Sequence, residues 1–182
     1  VGLAWRAAAL SAVGQRDAAL AIMNPERQPR RIPFEPPAEF GGIDSFNRRL
    51  AAEVIADPPT TPDSADFQLN TTPRATSQPA WRALGVFIRA ELERAALQPE
   101  WFGLEGARRP TMARLVSIST VLTADASNRQ HMHQAGYLTA IYHVQVPDSV
   151  RDDNTRAGAL ELGGCDQILP DFEPCWNRAW LK

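Results

Sequence analysis

All three histidines of the chain fall between positions 131 and 143. They are the residues whose type and spacing point most directly to chemistry. His131 and His133 flank Met132 in a polar turn, and His143 follows in a run of strand-forming residues. Imidazole is the commonest metal ligand and the only side chain whose unperturbed pKa lies near neutrality. In extended backbone, residues two apart project to the same side. His131 and His133 would then form half of a metal site, with Met132 turned into packing and a third ligand drawn from elsewhere. The pair does not select a metal, because zinc, iron, copper and nickel all accept imidazole. A solvent-exposed turn is the competing reading of the same spacing.

The elements that must position these residues come in a definite order. Residues 3–22 read as two short helices around Gly14, with Ala7, Ala8, Leu10 and Val13, then Ala18, Leu20 and Ile22, as apolar faces. The pair is similar to the last unit of a tetratricopeptide-like array. It needs either further repeats or the main domain to cover its apolar face. Arg30–Phe34 reads as an edge strand. Asp44 or Ser45 then caps a helix with Phe46, Leu50 and Val54 on one side. Residues 57–79 are rich in proline and threonine and read as a long irregular loop. Pro79 opens a second helix whose stripe is Trp81, Leu84, Ile88, Leu92 and Ala95.

From Thr111 the period changes to two. Val116, Ile118, Thr120 and Leu122 face one way, and Leu115, Ser117, Ser119 and Val121 the other. A turn at Asp125–Gln130, a strand at Leu138–Val146, a charged loop at 148–156 and a short strand at Ala159–Leu162 follow. Helices first and consecutive short strands after them predict an antiparallel β core with helices outside.

Composition narrows the function classes. The net charge of −2 comes from 19 basic and 21 acidic residues with no basic run, which argues against nucleic acid. No apolar stretch reaches the length of a membrane span. The Ala-rich Val1–Val13 segment carries Arg6 within its apolar part and reads as a helix, not a signal peptide. Two cysteines, Cys165 and Cys175, are too few for a secreted disulfide scaffold and read as free thiols in a reducing cytoplasm. The Val start suggests a piece of a longer product.

Two family patterns bear on the histidines. Cupins carry a glycine six residues before a His-x-His pair and a glutamate four or five after it; here Asp125 and Tyr137 or Leu138 occupy those places. Ser117–Gly163 instead resembles the 2-oxoglutarate/Fe(II) oxygenases that often follow tetratricopeptide repeats in bacterial proteins. Their His-x-His-Pro turn matches His131-Met132-His133-Gln134. Their Leu-Ser-Gly-Val-Tyr-Tyr-Val-x-Val-Pro strand matches Leu138–Pro147, and their Gly-x-Ile/Leu-Glu-Phe-Gly strand matches Gly158–Gly163. Met23–Arg27 and Arg30–Ile32 also resemble the segment joining repeats to the oxygenase domain in this group.

The resemblance implies an α+β chain in which N-terminal helices precede a double-stranded β-helix, related to jelly rolls and cupins. It implies a helical hairpin at 1–24 and an oxygenase-like domain at 25–182. The cofactor would be Fe(II) and the cosubstrate 2-oxoglutarate, whose decarboxylation to succinate drives C–H hydroxylation. By carry-over, His131 is the first metal ligand, His133 a second ligand or a support for one, and Tyr142 or His143 a wall of the 2-oxoglutarate pocket. Gln134, Thr139-Ala140 and His143 depart from the pattern. The family's distal histidine and its following arginine come after the segment that Trp176–Leu181 resembles, and Arg178 lies before that place. The barrel is therefore expected to be incomplete at the C-terminal end, and the chain alone inactive although the parent protein is an oxygenase.

Two further functions fit parts of the pattern. A scaffold with a degenerate oxygenase domain would bind a protein partner through the N-terminal helices. A zinc hydrolase would need a third ligand, and Asp125, Asp148 and Glu161 stand at no recognisable spacing for one. The substrate class stays open between small molecules, nucleotides and peptides.

Overall fold

The computed structural model describes residues 2–56, 61–63, 68–70, 78–98, 115–122, 136–151, 155–165 and 169–181. Two helices, α1 (Gly2–Ala12) and α2 (Arg16–Ile22), open the chain. They turn about Gly14, whose φ of +78° is left-handed backbone that glycine adopts without a Cβ penalty. A 3-10 turn at Ala38–Phe40 leads into α3 (Ile43–Ala56). A short antiparallel pair follows, β1 (Thr61–Asp63) with β2 (Gln68–Asn70). After α4 (Pro79–Ala96) and the single-turn α5 (Asp148–Arg151) comes a second antiparallel pair, β3 (Leu160–Leu162) with β4 (Ala179–Leu181).

The main core lies between α3 and α4. Phe46, Leu50 and Val54 recur every four residues, so they share one side of α3, and all three are buried. They meet Ala80 and Leu84 of α4. The ring of Phe34 sits 4.9 Å from those of both Phe46 and Phe87, and so stitches the two helices together. Edge-on aromatic contacts of this kind add about 0.5–1.5 kcal/mol beyond area burial.

A smaller core joins the two ends of the chain. Ala7 of α1 and Ala19 of α2 pack against Cys165 and Trp176. The Trp176 indole N–H donates to the Gly163 carbonyl at 2.8 Å, and the Cys175 amide donates to Ser11 Oγ at 2.8 Å. The helical pair thus covers one side of itself on the C-terminal segment. Within that pair the inward residue of α2 is Ala19, whereas Val13 and Ala18 are exposed.

The expected double-stranded β-helix is not the architecture of the described residues. Helices dominate, and the four strands are three residues each, in two separate two-stranded pairs. Residues 115–122 and 141–146 alternate in burial as expected, whereas Ala140 is exposed like its two neighbours; apart from a single bridge at Ser119, 115–122 and 138–146 carry no strand. The physical reason is that a period of two reports extended chain with one side against an apolar surface. Here α3 and α4 supply that surface, since Val121, Tyr142 and Val144 all pack on their core. A ladder needs a neighbouring backbone as well, and burial alternation does not encode one.

Smaller expectations also change. Arg30–Phe34 forms no strand; Phe34 is drawn into the core and Ile32 is left exposed. The proline-rich 57–79 segment contains the β1–β2 pair, with Pro62 opposite Leu69. Part of the charged 148–156 loop is helical, where Asp148 and Arg151 form an ion pair across one turn. Among the described residues, no helix is long and apolar enough to cross a membrane.

Candidate functional site

The extended segment 138–146 carries the described part of the site. Adjacent residues of extended chain point to opposite sides. Tyr142 therefore turns toward the α3/α4 core and His143 away from it. The Tyr142 ring stands edge-on to Phe34, with centroids 5.7 Å apart, and its hydroxyl donates to Asn47 Oδ1 on α3 at 2.7 Å. Burial raises the Tyr142 pKa above the usual phenol value. The Asn47 amide opposes this to a smaller extent, because its NH2 group can turn toward a phenolate. Tyr142 and His143 consequently do not share a pocket wall: one is anchored in the core, the other presented outward beside Ile141 and Gln145, which are also exposed.

His131 and His133, the expected metal ligands, lie outside the described residues. Among the described residues, no group of three or more histidine, cysteine, aspartate or glutamate side chains could hold a metal ion.

Sequence reasoning missed Asn47 and Glu53. Glu53 is buried between the two main helices, and its carboxylate caps α4. Oε1 accepts from the Ala80 amide at 3.3 Å and Oε2 from the Trp81 amide at 3.0 Å. These are first-turn N–H groups that have no partner within the helix. Gln78, directly before Pro79, adds a side-chain bond to the Glu53 carbonyl at 2.9 Å. Arg49 Nε donates to Glu53 Oε1 at 2.9 Å. The signal was present in the spacing: Glu53 stands three residues after Leu50 and beside Val54, which places a carboxylate on the apolar side of α3.

An open cleft of about 710 Å³ lies on the other flank of the same helix pair. Ser45 and Arg49 of α3 face Arg82 and Val86 of α4 across it, and Glu39 and Phe40 close the end at the 3-10 turn. Tyr142, His143 and Asn47 take no part in its lining.

A scan against protein-family models, a search of curated proteins and a search of solved structures each found no match.

Proposed function

We propose that the chain is part of an Fe(II)/2-oxoglutarate-dependent oxygenase, with His131 and His133 as metal ligands. The observation that carries this reading is the ordered succession of His131-x-His133, Leu138–Pro147 and Gly158–Gly163. The packing supports it in one respect. Tyr142 fixes the segment that carries the Leu138–Pro147 match onto α3. Bound iron and 2-oxoglutarate would supply the oxidising chemistry. The role assigned to this chain is to hold the metal through His131 and His133 and to present His143 on the outward side of the 138–146 segment. A small-molecule or peptidyl substrate and a reducing, cytoplasmic setting belong to the same proposal.

The test is conversion of 2-oxoglutarate to succinate by the protein encoded by the complete reading frame, with Fe(II) and oxygen supplied. The expected result is succinate from the wild type and none from His131→Ala. Absence of turnover in a folded wild-type protein overturns the reading.

A second reading is an interaction scaffold. It is favoured by α1, which leaves Leu3 and Trp5 exposed, as is Val13 in the turn after it, while its other side is docked through Ala7. Partner capture that survives His131→Ala in a protein without turnover would support it.

A further inference from the structure

We propose that the small cavity where α2 meets the C-terminal segment is a binding site for a small zwitterionic amino acid. This inference does not rest on the oxygenase reading, because the cavity shares no residue with the histidine segment.

The cavity holds about 130 Å³, the volume of roughly four waters at ~30 Å³ each. Arg16 and Leu20 line it from one side of α2, and Asn24 and Glu26 from the turn that follows. Trp176 and Asn177 line it from the C-terminal segment. Opposite charges therefore share one small space. Among the described residues, neither Arg16 nor Glu26 forms an ion pair, with each other or with a third group.

The hydrogen bonds divide what is left by kind. The Arg16 carbonyl accepts from the Cys175 thiol at 4.0 Å, and its guanidinium has no partner among the described residues. Asn24 accepts the Arg27 amide on Oδ1 at 3.2 Å and donates its backbone N–H to Gln28 Oε1 at 3.0 Å, which leaves its Nδ2 as a donor. Asn177 Nδ2 donates to Glu26 Oε1 at 3.2 Å, which leaves Glu26 Oε2 and Asn177 Oδ1 as neighbouring acceptors. A neutral amide orients the carboxylate without cancelling its charge. The donors, one of them a guanidinium fork, suit a carboxylate, and the acceptors suit an ammonium.

This pairing sets the ligand class. An occupant of one sign would meet a like charge as well as an unlike one, whereas a zwitterion meets each with its opposite. The small volume puts both groups on one short skeleton, and Leu20 and Trp176 give that skeleton an apolar wall. Trp176 is buried and its indole is already fixed by the Gly163 carbonyl, so binding pays little to order it.

The experiment titrates the full chain with L-alanine, propionate and ethylamine, followed by the Trp176 indole N–H chemical shift. The expected result is a saturable shift with L-alanine and much weaker effects with the two singly charged molecules. Arg16→Gln and Glu26→Gln, both at exposed positions, are each expected to weaken L-alanine binding about ten-fold, the equivalent of ~1.4 kcal/mol. Propionate or ethylamine binding as tightly as L-alanine would overturn the proposal. So would the absence of a saturable shift with L-alanine, or affinity unchanged in either variant.

Discussion

The Tyr142 hydroxyl donates to Asn47 Oδ1 at 2.7 Å across 95 residues of sequence. This bond, with the edge-on contact to Phe34, fixes the 138–146 segment to α3. Removing the hydroxyl leaves the Asn47 acceptor without its partner. Tyr142→Phe should therefore cost ~1 kcal/mol in urea unfolding. An unchanged midpoint would show that the bond is replaced by water at no cost.

The same residue makes an alkaline prediction. Burial raises the folded pKa of Tyr142, so its contribution to stability is complete below the unfolded phenol value of about 10. It is lost as pH rises from there through the higher folded value, because the unfolded chain then releases the proton first. The wild type should lose more stability than Tyr142→Phe across that window. Parallel loss in the two proteins would show that the phenol is not desolvated.

Glu53 gives the strongest single-residue prediction for the fold. Glu53→Ala strips two α4 amides and Arg49 of their acceptor at once and should cost ~2 kcal/mol. Arg49 is 60% exposed and water can satisfy it, which keeps the cost below that of a fully buried pair. Glu53→Gln retains an acceptor and should cost less. Equal loss in the two variants, measured by urea unfolding, would place the effect in packing instead.

At the other core, Gly163 has a φ of +87° and packs so closely that an added Cβ would overlap the Pro25 ring. The same Cβ would stand 3.3 Å from Trp176 Cδ1. Gly163→Ala should cost ~2 kcal/mol through strain and overpacking. Amide exchange should quicken in α1 and α2, which rest on Trp176, before it quickens in α3 and α4. Uniform quickening would mean that the two cores unfold as one.

The helices were legible in the sequence because their apolar residues repeat at helical spacing. Phe46, Leu50 and Val54 are buried, and the Trp81–Ala95 stripe lies on the covered side of α4 as the pattern predicts. Pro79 stands in the first turn of α4, where its missing N–H costs nothing. The short Leu160–Leu162 strand and its stop at Gly163 were also readable. The sheet was not. Val116, Ile118 and Leu122 remain exposed while Ser117, Ser119 and Val121 lie on the covered side, so alternation separated the two sides but told neither which one is covered nor what covers it. Long-range polar bonds such as Tyr142 to Asn47 leave no periodic trace. At the site, the family resemblance offered Tyr142 or His143 as alternatives, and only the packing on Phe34 decides which one faces inward.

The central claim rests on His131 and His133 as a metal-holding pair. Its most direct test is anaerobic Fe(II) titration by calorimetry of the wild type, His131→Ala and His133→Ala, with Tyr142→Phe as a control away from the ligands. The account predicts one saturable site, weakened about ten-fold or more by either histidine substitution and little changed in the control. Equal Fe(II) affinity in all four proteins would contradict it.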